Sequence, residues 1–285
     1  MRERDKVSTG LRLVWLLHGY FFRNRTLSAN QIRPTAAEAA RLGGQVLMSY
    51  RDAFKAKLKA PKDLVTDADV ASQRAIADLL TARFPDSFFV GEEDGLNNVR
   101  PQPGQLCWIV DPLDGTANYV HRLQNFSVSI GAAVDGKLLA GVVYDPTTNE
   151  LYEAALGEGA WLNGERIHQS GCVDMESAMI ACSFASSVSR DAPEIKQFVE
   201  VLVRCQAMRR LGSAALNLCY VAAGRLDAYW ALAVKPWDIA AGALIATEAG
   251  ALLTGANGNP FDIWNPHLAI ASTPELHQQL LECLN

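Results

Sequence analysis

The chain has 285 residues, 49% of them apolar and 20% charged, and carries a formal net charge of −5. That length suits one large domain or two moderate ones, and the apolar fraction is enough to fill a core. Residues 1–30 hold six Lys/Arg against two acids, which leaves 20 basic and 29 acidic side chains in the rest. An acidic body of this kind argues against a nucleic-acid polymer as the main ligand, because gripping a phosphate backbone takes clustered cations.

At the N-terminus, residues 11–22 are apolar but interrupted by Arg12 and His18. The run falls short of the ~20 residues that cross a bilayer, so no stable membrane insertion is expected. Basic residues precede it as in a signal peptide, without a small-residue cleavage site behind it. Residues 1–33 therefore read as a disordered extension, with a membrane-surface segment and an export signal as the alternatives.

A first helix is expected over 36–50, capped by Thr35 behind Pro34. A second runs from 67 or 68 to 83, with Val70, Ile76, Ala77 and Leu80 on one apolar face. Two short strands, 87–90 and 107–110, each run directly into acidic residues. Strands 125–134 and 138–144 form a hairpin around Asp135-Gly136, and 151–155 and 160–162 extend the meander. Further on, strands at 179–183, 227–230, 251–254 and 268–271 alternate with helices at 193–205, 213–223, 237–249 and 274–284. This pattern predicts an α/β fold of sheets covered by helices, with the acids at strand ends. Residues 34–170 read as an α/β part carrying most of the site and 171–285 as one that completes it. The six cysteines form no CxxC pair and no Cys/His zinc spacing, which points to free thiols and a reducing, cytoplasmic setting.

The densest chemistry lies in Asp111-Pro112-Leu113-Asp114-Gly115-Thr116. Strand side chains alternate faces, so Asp111 and Asp114 would point oppositely if the strand ran on. Pro112 is expected to end the ladder and turn both acids toward one cation. Gly115 and Thr116 then open a helix whose first N–H groups suit an anion. Hard oxygen donors beside an anion cradle describe a magnesium–phosphate site, although an ordinary Asp-Pro and Asp-Gly turn would produce the same string. Glu92, Glu93 and Asp94 repel one another unless a cation holds them, or a solvated loop separates them, as expected for Asp94. Asp238, at the head of an apolar helix, is by itself an N-cap.

These runs, with Asp63-Leu64-Val65-Thr66-Asp67-Ala68-Asp69, Gly141-Val142-Val143-Tyr144-Asp145-Pro146, Trp237-Asp238 and Arg210-Leu211-Gly212-Ser213-Ala214-Ala215, together resemble the inositol monophosphatase family of the wider fructose-bisphosphatase-like superfamily. The resemblance implies a five-layer α/β/α/β/α sandwich, usually a homodimer, and a lithium-sensitive phosphatase using two or three Mg2+ ions. It assigns Glu92, Asp111, Asp114 and Asp238 as metal ligands, with Leu113 lending its carbonyl. Thr116 and Glu92 would orient the attacking water, and Asp69 would bond the threonine. Gly115 and Thr116 would bind phosphate through their amides; Gly212, Ser213 and Ala214 would line the alcohol side of the substrate. No Cys or His stands in a nucleophile motif, so direct attack by water is the economical route.

The implied substrate is inositol 1-phosphate or a related sugar or polyol phosphate. Fructose 1,6-bisphosphate, histidinol phosphate and 3′-phosphoadenosine 5′-phosphate are alternatives on the same scaffold. A different class is a regulatory or binding protein that keeps the fold, as in bacterial relatives with a role in the transcription machinery. Ala231 stands where inositol-specific members carry a glutamate, a loss worth roughly 1–3 kcal/mol of polyol recognition. Lys235 either reaches that pocket and favours a second anionic group or lies along the surface. Leu58 replaces a usual lysine, flanked by Lys57 and Lys59, in a stretch linked to a third, weaker metal site.

Overall fold

The computed structural model describes residues 20–22, 25–27, 29–60, 62–94, 100–185 and 187–285. The reading of residues 11–19 lies outside these, as does that of the Asp94 side chain. β1 (Tyr20–Phe22) and β2 (Arg25–Leu27) form an antiparallel pair ahead of α1 (Ala29–Tyr50). A second antiparallel pair, β3 (Ala56–Ala60) and β4 (Asp63–Thr66), leads into α2 (Asp67–Arg83).

The first large sheet holds β5 (Phe88–Gly91), β6 (Cys107–Asp114), β7 (Ser127–Val134), β8 (Lys137–Asp145), β9 (Glu150–Ala155), β10 (Gly159–Leu162) and β11 (Glu165–Ile167) in spatial order 11-10-9-8-7-6-5. Only β5 and β6 run parallel. A five-residue helix, α3 (Thr116–Val120), follows β6. The second sheet is β12 (Met179–Ser183), β13 (Ala207–Arg209), β14 (Ala228–Ala231), β15 (Leu252–Thr254) and β16 (Leu268–Ala271), in order 13-12-14-16-15. Its helices are α4 (Pro193–Leu202), α5 (Ala214–Ala222), α6 (Pro236–Glu248) and α7 (Pro274–Leu284).

Strand alternation explains the layering. In the second sheet Ala181, Tyr229, Ala231, Leu268 and Ile270 face α5 and α6, while Ile180, Cys182, Ala228, Trp230 and Ala269 face the cluster that includes α7. In the first sheet Trp108, Val110, Val128, Ile130, Ala140 and Val142 pack under α1 and α2, and Val143, Tyr152 and Ala154 face the middle helices. The layers are therefore α1/α2, first sheet, α5/α6, second sheet, α4/α7: the expected five-layer α/β/α/β/α sandwich. α6 lies unusually close to its sheet because Gly131 and Gly141 are cross-strand partners. A Cβ at Gly141 would sit 2.5 Å from the Ala241 carbonyl oxygen, and one at Gly131 would sit 2.7 Å from the Ala240 Cβ.

Two expectations needed correction. α1 starts at Ala29, before Pro34 rather than after it. Ile32, only 1% exposed, supplies core burial that outweighs the hydrogen bond lost at the proline. On α2, Val70 is exposed, whereas Asp69, Ser72 and Gln73 are buried beside Ile76 and Leu80. That helix turns polar side chains inward because its inner face borders the acidic centre.

Candidate active site

The ladder between β6 and β7 does not end at Pro112. Asp111 pairs with Ser129 and Asp114 with Ser127, so β6 carries one extra residue between them. This bulge shifts the alternation by one, which brings both carboxylates to the same side. Asp111 is 2% exposed and Asp114 7%. A bulge, and not a chain reversal, does the work expected of the proline.

Each acid then has a defined partner. The Leu113 N–H donates to Asp111 Oδ1 at 2.9 Å. Asp114 lies at the head of α5, where it accepts from the Ala214 N–H (3.2 Å), the Ala215 N–H (2.8 Å) and the Ser213 hydroxyl. Ser213 in turn accepts from the Leu216 N–H as the cap of that helix. Asp238 is not the N-cap, which is Lys235, but the third residue of α6, where it accepts the Lys235 N–H at 2.8 Å as the acidic half of a capping box. Glu92 follows β5 and accepts from Lys59 Nζ at 3.0 Å; the same ammonium also bonds Glu93. Lys59 owes its position to a second bulge. Leu58 pairs with Leu64 and Ala60 with Asp63, which leaves Lys59 as the extra residue of β3.

The electrostatics link these separate segments. Burial pushes the Asp111 carboxyl well above the usual range, reinforced by the charges of Glu92, Asp114 and Asp238. Asp238 is raised by burial and then by Asp114, with the Lys235 N–H and ammonium acting against the shift. Asp114 rises to about 6 through burial, opposed by Ser213 and the α5 amides. For Lys59 burial disfavours the charge, but Glu92 and Glu93 overcome it and its pKa is raised. The four acids thus act on one another. As the side chains stand, each is turned to its own donor, and among the described residues no group of three or more His, Cys, Asp and Glu is arranged to hold one ion.

Beyond Asp114, Thr116 Oγ1 lies 3.1 Å from the Leu113 carbonyl and 3.4 Å from Asp69 Oδ1. Asp69 is fixed by a capping box with Thr66, and burial raises its pKa to about 7 against those hydrogen bonds. Gly115 has φ +96°, and a Cβ there would meet the Asn125 carbonyl at 2.9 Å. Gly212 has φ +87° and would clash with Asn118. Asn118 Nδ2 donates to the carbonyls of Asn125 (2.7 Å) and Leu211 (2.8 Å), tying α3 to the loop of Gly212, Ser213 and Ala214.

Sequence reasoning gave no role to this asparagine clamp, to Lys59 or to Tyr229. The Tyr229 hydroxyl donates to Ser183 at 2.8 Å, and its pKa is raised by burial and by the charges of Asp114 and Asp238. Asn118 was visible within the motif run; the other two depend on pairings that no local pattern reveals. Ala231 is fully buried in the middle layer, and Lys235 is exposed, in keeping with a surface lysine.

A sequence model described as the Inositol monophosphatase family matches residues 28–285. The chain belongs to this family. A protein of Pasteurella multocida named Nus factor SuhB is 40% identical over 256 residues, covering 88% of this chain and 95% of its own length. The extragenic suppressor protein suhB of Bartonella henselae superposes with TM-score 0.82 at 33% identity, covering 88% of this chain and 97% of its own. An inositol monophosphatase from Anabaena superposes with TM-score 0.79 at 33% identity, covering 90% and 95%. In this family member, then, the α/β/α/β/α scaffold carries its acids at the seam between β6, α5 and α6.

Proposed function

We propose that the chain is a Mg2+-dependent phosphatase of a small phosphomonoester, such as inositol 1-phosphate or a related sugar or polyol phosphate. The supporting observation is the mutual electrostatic action of Glu92, Asp111, Asp114 and Asp238, which come from three separate segments. Buried like charges are costly alone, and a hard divalent cation relieves them while suiting their oxygen donors. These four side chains and the Leu113 carbonyl would hold two or three Mg2+ ions. When bound, Mg2+ supplies a lower pKa for the attacking water and counter-charge at the leaving oxygen. Thr116, tied to Asp69 and the Leu113 carbonyl, orients that water together with Glu92. Asp69, with its pKa near 7, can take up a proton at working pH. The amides of Gly115 and Thr116 face the phosphate, and Gly212, Ser213 and Ala214 border the alcohol.

A panel of phosphomonoesters with and without Mg2+ tests this reading and ranks fructose 1,6-bisphosphate and histidinol phosphate against inositol phosphates. No turnover of any member would overturn it. The names of the SuhB relatives favour a second reading, in which the fold acts through a partner, with or without catalysis. Cellular function that survives Asp111→Asn while hydrolysis disappears would establish that role. The six free thiols support a cytoplasmic setting, and among the described residues no helix is long and apolar enough to cross a membrane.

A further inference from the structure

Asn125 lies in the loop between α3 and β7, outside every motif run that carries the family resemblance. Hydrogen bonds join it to three other parts of the chain. Its Nδ2 donates to the Leu211 carbonyl at 3.0 Å, and its Oδ1 accepts from the Tyr220 hydroxyl of α5 at 3.1 Å. Its own carbonyl accepts from Asn118 Nδ2, which also reaches the Leu211 carbonyl. A carbonyl only accepts, so the bond to Leu211 decides which end of the Asn125 amide is nitrogen, and the tyrosine must donate. Tyr220 keeps the proton this requires: burial, then the charge of Asp145, pushes its pKa up to about 12. The Arg225 guanidinium lies 5.6 Å over the tyrosine ring and makes two hydrogen bonds to the Glu150 carboxylate, which holds the ring in place.

The same loop is where the two borders of the substrate region meet. A Cβ at Gly115 would lie 2.9 Å from the Asn125 carbonyl and 3.3 Å from the Gly212 carbonyl. The turn of Gly115 and Thr116 therefore rests against both. Gly212, at φ +87°, would let the chain swing if nothing fixed it. What fixes it is the preceding Leu211 carbonyl, gripped by two asparagine amides. Directly after it, Ser213 and the Ala214 and Ala215 amides hold Asp114. We propose that Asn125 is a positioning residue for the alcohol half of the substrate: by holding the Leu211 carbonyl, it sets the gap between the turn of Gly115 and the border formed by residues 212–214. What enters that gap follows from the phosphatase reading, on which this rests; the clamp itself follows from the hydrogen bonds alone.

Two readouts separate a clamp from general damage. Asn125 is half-buried, so Asn125→Ala should leave circular dichroism unchanged. With Mg2+ and the best substrate of the phosphomonoester panel, that variant should raise KM by roughly tenfold, the worth of one or two hydrogen bonds, with a smaller change in kcat. The inhibition constant of inorganic phosphate, which has no alcohol half, should stay the same. In amide hydrogen exchange without metal or substrate, Ala214 and Ala215 should exchange about tenfold faster while β7 and β8 keep their protection. Tyr220→Phe removes only the donor that orients the amide and should give smaller versions of both effects. The double variant should be no worse than Asn125→Ala, because the two side chains act as one unit. An unchanged KM, a phosphate constant that rises along with KM, or exchange at Ala214 and Ala215 that ignores the substitution overturns the proposal. A wild type that hydrolyses no phosphomonoester removes the substrate together with the phosphatase reading, and the exchange experiment alone then upholds or overturns the clamp.

Discussion

Asp111 and Asp114, both buried, and Asp238, half-buried, lie at the seam between β6, α5 and α6, whereas Glu92 lies at the edge of the first sheet beside the β3–β4 pair. In the seam, each carboxylate accepts from at least one backbone N–H, those of Leu113, Ala214, Ala215 and Lys235. Such donors belong to the fold and stay as long as it does. At the edge, Glu92 is held by Lys59, whose strand is exposed along its length. A lysine head on a flexible stem can swing away. One half of the site is therefore fixed in advance and the other half is adjustable, and each can be perturbed alone.

The largest effect is expected in the fixed half. Asp111→Asn should lower kcat/KM by at least about 100-fold, since even partners behind metal ligands are worth 10–100-fold. Its melting temperature should not fall, because the change removes a charge that burial disfavours. A loss of less than tenfold would remove Asp111 from the centre. Next is the packing that sets the seam. Gly141→Val drives a side chain into the α6 backbone at Ala241, an overpacking cost of about 1–3 kcal/mol that should show in urea unfolding. Unchanged stability would mean that α6 does not depend on the glycine pair.

The same division decides what could be read from sequence. α2, α5 and α7 were legible in outline, and each carries a Ser or Thr cap in the structure, Thr66, Ser213 and Thr273. The layered fold and the acidic residues of the seam were legible through the family motifs. The two bulges were not, because a bulge is a mismatch between two strands and local sequence carries only one of them. Pro112 was credited with a turn that an extra residue in β6 makes. Lys59 was passed over as one of two lysines beside Leu58, because the bulge that makes it the extra residue of β3 shows only against β4. Val70 was assigned to an apolar face on period alone, but the inner face of α2 is partly polar where it meets the site.

The fixed half also predicts a pH dependence. In the folded chain Asp69 titrates at about 7 and Asp114 at about 6, above the ~3.9 of an unfolded aspartate. Between these limits the folded state binds more protons than the unfolded state, so raising the pH removes stability. The melting temperature of the metal-free protein should fall between pH 5 and pH 8. Added Mg2+ should recover it increasingly toward pH 8, because metal competes with those protons. A metal-free melting temperature that rises over this window would mean that the acids are not forced together.

The smallest effect tests the adjustable half. If Lys59 acts as a counter-ion between Glu92 and Glu93, any cation that uses Glu92 must displace it. Lys59→Met should then tighten Mg2+ binding, measured by calorimetry in the absence of substrate, by up to about fivefold. That is the most a partly exposed ion pair of about 1 kcal/mol can withhold. The melting temperature should hardly change, since β3 is exposed along its length. Weaker binding would reverse the assignment: Lys59 would then organise the two glutamates for the metal instead of competing with it, and the edge would be as preformed as the seam.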